Sequence, residues 1–206
     1  MRSERERRHA PATQRNREPI LKVLLRALPS EGVLLEIASG TGEHAAFMAP
    51  KLEEGWIWQP SDVSADTLED INSYAEEVVC RRIRPAIVLD VTEDRWPITQ
   101  ASAILCCNMI HIAPWPAARG LFSGASKILS PNAPLMLYGP FKRNGEHTSP
   151  SNAEFDATFL KSQNPLWGVR CLDNEIMPLA EVNGFTLHEV VQMPANNLSV
   201  IFRRQN

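Results

Sequence analysis

Apolar residues fall into two alternating rhythms along this chain. Ile20, Leu21, Leu24, Leu25 and Leu28 recur at the spacing of one helical face, and Pro19 suits a first turn, so 16–28 reads as a leading amphipathic helix. Short continuous apolar runs follow at 33–38, 56–59, 86–89, 103–108 and 135–138, each of the length of a buried strand. Between them the helical rhythm returns. It covers 44–52, a segment capped by Ser64 with Leu68, Ile71, Ala75 and Val78 on one face, and 117–129. The stretch 140–175 is polar, with Pro, Asn and aromatic residues, and predicts a loop plus a short helix near 152–160. A helix over 176–182 ends on Gly184, and 186–192 and 198–202, joined by MPANN, read as a hairpin. This order predicts an α/β fold, Rossmann-like, with a seven-stranded mixed sheet and helices on both faces. The C-terminal hairpin is expected to add an antiparallel strand at one edge.

Composition narrows the class. A chain of 206 residues, 44% hydrophobic and 22% charged, has the size and balance of one globular α/β domain. The expected layout is a charged arm over 1–15 and a single domain over 16–206, with 140–175 inserted on the substrate side. No run approaches the roughly 18 apolar residues of a membrane span, and MRSERERRHAP lacks an apolar signal core, which predicts a cytoplasmic protein with no membrane partner. A formal net charge of -3 argues against a broad basic face, so no nucleic-acid partner is expected. Cys80 and Cys171 stand alone and Cys106 and Cys107 are adjacent. Without CxxC spacing they read as ordinary thiols, and no metal site is expected.

Candidate chemistry starts at EIASGTG, residues 36–42, between the first strand and its helix. Glycines there let the backbone approach a ligand closely and let the helix start face it. Asp62 follows Gly42 by 20 residues at the end of the second strand, where a carboxylate can accept both ribose hydroxyls. Asp90 ends the third strand on the same edge, within reach of an adenine amino group. Singly, each has a plainer reading as a turn residue. Together they suit a ligand lying across the switch point of the sheet. Gly40, Gly42 and Ala45 also satisfy GxGxxA, so a nicotinamide oxidoreductase competes. Glu36, ahead of the glycines, and the terminal hairpin favour S-adenosylmethionine instead.

The motifs EIASGTG, QPSD, LDVT, CCNMIHIAPW, YGPFKRNG, SNAEFD with NPLWGVR, and MPANN give the chain a specific likeness. Together with the leader TQRNREPIL, they resemble the family whose animal member is called methyltransferase-like protein twenty-six, over about 12–203. The resemblance implies a class I methyltransferase fold with S-adenosylmethionine as cofactor and S-adenosylhomocysteine as product, and it brings no substrate. By likeness to the superfamily, Glu36, Ser39, Gly40 and Gly42 would hold the methionine part, Asp62 with Val63 the ribose, and Asp90 with Val91 the adenine. Asn108 would sit beside the methyl-donor end, while Asn16 and Arg17 could close over the cofactor. Ala38 stands where the common ExGxGxG pattern has its first glycine.

The substrate side would comprise His111, Tyr138, Phe141, Asn152, Phe155, Asp156, Trp167 and Arg170. His111, Tyr138 and Asp156 are the catalytic candidates, since His111 has a pKa suited to removing a proton during transfer. Asp156 and Arg170 would either bind a polar substrate or pair with each other. Trp115, Phe141 and Trp167 would wall the pocket or fill the core. The strand-four sequence NMIH is not the NPPY type used on nucleobase and glutamine amides. Cys106 and Cys107 point to opposite faces and do not make the nucleophile pair of cytosine-carbon methylation. A small molecule or an exposed protein group remains as acceptor. A non-catalytic S-adenosylmethionine-binding scaffold using the 140–175 surface is the other alternative.

Overall fold

The leading helix, α1 (Pro11–Ala27), begins earlier than the apolar spacing indicates. Proline suits a first helical turn because its missing N–H would be unbonded there anyway. The inner face of the added turns is polar: Thr13 and Asn16 are buried. A pattern read on apolar residues therefore misses this start. The remainder of the predicted arm, residues 1–8, lies outside the residues described (9–206) in this computed structural model.

Five parallel strands follow in order: β1 (Gly32–Ile37), β2 (Trp56–Asp62), β3 (Ile87–Val88), β4 (Ala103–Cys107) and β5 (Pro134–Gly139). They alternate with α2 (Glu43–Met48), which runs on into the 3₁₀ turn Ala49–Lys51, α3 (Ala65–Glu76) and α4 (Trp115–Ile128). Beyond β5 the chain leaves the sheet. A small hairpin of β6 (Lys142–Arg143) and β7 (Glu146–His147) leads into α5 (Pro150–Glu154), whose N-cap Ser149 accepts from the Asn152 amide. That helix widens to a π-helical stretch, Phe155–Leu160, and ends as α6 (Lys161–Gln163). A second π-helical stretch, Leu172–Ile176, precedes α7 (Met177–Val182), and β8 (Phe185–Met193) and β9 (Asn197–Arg204) complete the sheet.

The strand order is β3-β2-β1-β4-β5-β9-β8. The expected seven-stranded mixed sheet is present, with one correction. The antiparallel strand β9 is not at the edge; it lies between β5 and β8. The sequence of the two strands explains why. Leu198 to Phe202 are buried on both faces, as a central strand requires, whereas Thr186, Leu187 and His188 of β8 are exposed, as an edge strand tolerates.

Alternation along each strand divides the core into two layers. Leu35, Ile37, Ile104, Cys106, Leu135 and Leu137 face α4 and α7, while Leu34, Ala103, Leu105, Cys107, Met136 and Tyr138 face α1 and α2. Cys106 and Cys107 thus point to opposite faces. Strand order reverses direction between β1 and β4, which opens a crevice at their C-terminal ends. The loops after β1, β2, β3, β4 and β5 all end at this edge.

Candidate functional site

Three residues of the loop after β1 take left-handed backbone angles: Ala38 (φ 56°), Gly40 (φ 59°) and Gly42 (φ 88°). Their reasons differ. A Cβ on Gly42 would lie 2.7 Å from the Cα of Ile71, so glycine lets α3 pack against the start of α2. A Cβ on Gly40 would meet nothing within 4 Å, so that backbone faces open space. Ala38 occupies the glycine position of the usual pattern and holds a conformation that costs an L-residue about 1 kcal/mol.

Beneath the loop lies a buried polar chain. Glu36 accepts hydrogen bonds at Oε2 from Ser39 Oγ (2.8 Å) and Trp58 Nε1 (3.0 Å). Its Oε1 stands 4.0 Å from His44 Nδ1, and His44 Nε2 bonds Asn16 Oδ1 at 2.8 Å. Burial away from any full cation pushes the Glu36 carboxyl up to about 7, and burial also pushes His44 down to about 4. Helix α1 is pinned over this edge a second time, because Glu43 accepts from the Ala10 amide (2.7 Å) and from Thr41 Oγ1 (2.8 Å). Arg17 stacks on the Phe47 ring at 4.2 Å, and its buried Nε has no hydrogen-bond partner.

Asp62 is buried, with Oδ2 accepting from the Gly40 amide (2.9 Å) and Oδ1 from the Ser64 amide (3.2 Å). It therefore clamps the first loop to the second, and each oxygen keeps a further lone pair for a ligand. Val63 beside it is 61% exposed, an apolar surface at the rim of the crevice. Asp90 Oδ1 accepts from the Thr92 amide and hydroxyl (2.8 and 2.7 Å), so it is a turn residue as well as a ligand candidate. Val91 is buried behind it. Asn108 ends β4 in a left-handed conformation (φ 57°), and its amide donates to the Tyr138 carbonyl (2.8 Å).

These residues fit S-adenosylmethionine. The open face at Gly40, the unpaired Arg17 Nε and a Glu36 carboxyl with no neutralising cation match a ligand with a carboxylate at one side of its amino-acid end and an ammonium at the other.

The predicted substrate residues separate into two groups. Tyr138 is on the α1 side, its hydroxyl engaged by Asn16 and Asn197 and its pKa raised by burial. Together with Asn16, Asn108 and Asn197 it lines a cavity of about 160 Å³. His111, Phe155, Asp156, Trp167 and Arg170 gather around the excursion instead. His111 is buried, lies edge-on to Phe155 with ring centroids 5.9 Å apart, and accepts from the Gly168 amide through its carbonyl (3.0 Å). Burial lowers it to about 4, which makes it a weak base at neutral pH.

Two expectations need correcting. Asp156 and Arg170 do not pair. Asp156 Oδ2 meets Lys142 Nζ and His147 Nε2, each at 3.3 Å, and Oδ1 accepts from the Val169 amide (3.0 Å). Arg170 donates to the carbonyls of Leu166 (2.8 Å) and Ala113 (3.3 Å) and faces the Trp115 ring at 5.6 Å. Phe141 is 2% exposed inside the α4-side core, so it fills the interior and does not wall a pocket. Asn152 spends both Nδ2 protons on Thr148 Oγ1 (3.1 Å) and the Asn196 carbonyl (2.9 Å), tying α5 to the β8–β9 turn. Trp167 is half-buried beside exposed Leu166.

Sequence reading missed His44, Trp58, Glu43, Arg15 and Asn197. Their signals were the polar pair opening the helix after the glycine turn, a Trp in the next strand two residues before the position paired with Glu36, and the asparagines of MPANN.

Solved structures share this architecture. An O-methyltransferase family protein from Burkholderia thailandensis superposes with a TM-score of 0.76 at 14% identity, covering 95% of this chain and 58% of that one. A candidate methyltransferase from Bacillus halodurans gives 0.71 at 13%, covering 91% of this chain and 98% of the other. CalO1, a methyltransferase in calicheamicin biosynthesis with S-adenosylhomocysteine bound, gives 0.71 at 14%, covering 92% and 54%. At these identities the likeness establishes the fold, which is that of class I methyltransferases. The family described as "Protein of unknown function (DUF938)" matches residues 7–204, nearly the whole chain, and the protein is a member of that family.

Proposed function

We propose that this protein is an S-adenosylmethionine-dependent methyltransferase acting on a small molecule or an exposed protein group. The observation that carries the reading is the convergence of Glu36, Gly40, Asp62, Asp90 and Asn108 on one sheet edge, with Gly40 facing open space. The likeness to the family of methyltransferase-like protein twenty-six supports the same reading, and we propose a cytoplasmic setting without a nucleic-acid partner. Among the described residues no helix is long and apolar enough to cross a membrane.

When bound, S-adenosylmethionine supplies a methyl group already activated by its sulfonium. Glu36 takes the ammonium of the amino-acid end and Arg17 its carboxylate. Asp62 uses its remaining lone pairs for the ribose hydroxyls, Val63 and Val91 pack on the adenine, and Asp90 accepts from its amino group through Oδ2. Asn108 marks the methyl end. The protein's task is then to align a nucleophile and exclude water. His111 is a positioning residue in this scheme: neutral and packed on Phe155, it fixes the loop after β4. Asp156 acts likewise by fixing the excursion.

Calorimetric titration tests the reading. S-adenosylmethionine and S-adenosylhomocysteine bind, and NAD does not. NAD binding without a response to S-adenosylhomocysteine replaces it with the oxidoreductase reading.

A further inference from the structure

Resting on the methyltransferase reading, we propose that the cavity beneath α1 is the methyl-acceptor subsite and that it takes a small carboxylate, methylated on oxygen. The cavity measures about 160 Å³, roughly five water volumes, and is open on one side, so it holds a group of small-molecule size at its base. It opens beside Asn108, at the tip of β4, and Tyr138, at the tip of β5. Its wall therefore touches the strand end assigned to the methyl group.

The lining chooses the chemistry. Among the described residues Arg15 is the one charged side chain in it, and no Asp, Glu, His, Lys or Cys of theirs contributes. Arg15 is exposed at the rim, forms no ion pair among the described residues, and acts electrostatically on the Tyr138 hydroxyl. Of the other polar groups, Asn16 and Asn197 are spent on the Tyr138 hydroxyl, which leaves the Asn108 amide and the proton of the neutral Tyr138 phenol to donate to a ligand. Such a wall attracts an anion and repels none. Among the described residues it holds no carboxylate to neutralise an ammonium.

Among the described residues the lining holds no general base; His44, bonded to the lining Asn16, and His111 both lie outside it and are lowered to about 4. An acceptor that must lose a proton to react, an alcohol or a protonated amine, has no group here to take it. A carboxylate is already an anion at neutral pH and needs none. Its oxygen lone pair forms the new O–CH₃ bond, the S–CH₃ bond breaks with its electron pair going to sulfur, and no proton moves. Carboxylate and sulfonium become a neutral ester and a neutral thioether.

The test uses the full chain in two stages. S-adenosylhomocysteine binding is measured first; failure at this stage removes the methyltransferase reading itself. The loaded protein is then titrated with benzoate and malonate, and separately with ethanolamine and phenol. We expect the carboxylates to bind and the amine and phenol not to. Arg15→Gln should weaken carboxylate binding at least about tenfold while S-adenosylhomocysteine affinity stays within about twofold. With tritiated S-adenosylmethionine, carboxylate-dependent label should be released as methanol by alkali. The proposal is overturned if loaded protein binds no carboxylate, if Arg15→Gln leaves that binding unchanged, or if the methylated product is an alkali-stable amine or ether.

Discussion

The loops around β1 and β2 and the excursion over 140–175 both bury charge, but they do so differently. Around β1 the buried groups are under-neutralised. Glu36 meets only neutral donors and a neutral His44, and Arg17 keeps an unpaired Nε. In the excursion the charges answer one another: Asp156 takes Lys142, His147 and the Val169 amide, and Asp173 takes Arg143 and the Asn144 amide. The first region leaves charge unanswered, as the proposed binding of a charged cofactor requires. The second is built to hold its own shape, and its aromatic face, with Phe159 51% exposed and stacked on Phe155, is left outward.

The largest effect should come from breaking the self-sufficient region. Asp156→Ala strands Lys142 and His147 and should cost about 3–5 kcal/mol, read as a fall in Tm of roughly 10 °C. S-adenosylhomocysteine affinity of the folded fraction should hold. A stable variant that has lost ligand binding would erase the distinction between the two regions.

Glu36 sharpens the other side through pH. Its folded pKa, about 7, lies above the ordinary 4.5, so its contribution to stability is complete below 4.5 and is lost as pH rises through 7. Glu36→Gln keeps an acceptor for Trp58 and removes the charge. It should therefore be more stable than wild type at pH 8, by up to about 3 kcal/mol, and level with it near pH 4. Denaturant melts at the two pH values measure this, and an advantage independent of pH would refute it. His44 and His111 act in the opposite sense, because their lowered pKa values remove stability as pH falls from 6.5 towards 4.

The smallest effects come from the loop backbone. Ala38→Gly relieves a left-handed alanine and should add about 1 kcal/mol, whereas Gly40→Ala should cost about the same without any collision. Because its new methyl projects into open space, Gly40→Ala should lower ligand affinity more than stability. Equal losses in both would mean that Gly40 faces the protein and not a ligand.

What the sequence determined by itself is whatever depends on neighbours along the chain. Short continuous apolar runs and helical periodicity place β1, β2, β4, β5 and their helices, because each element's buried surface is written in its own side chains. The glycine turn and the carboxylates ending β2 and β3 were legible for the same reason, since their positions follow from the strands that carry them. Tertiary structure alone decided the partners. Apolar Phe141 could wall a pocket or fill a core, and only the packing of α4 and α7 buries it. Asp156 could pair with any cation of the excursion, and the fold brings Lys142 and His147 to it while Arg170 turns to backbone carbonyls. The hairpin was visible, but its insertion of β9 beside β5 depended on the long return of the chain across 140–184. Long-range pairing carries no local signature, because side chains distant in sequence meet only after the backbone has closed the loop between them.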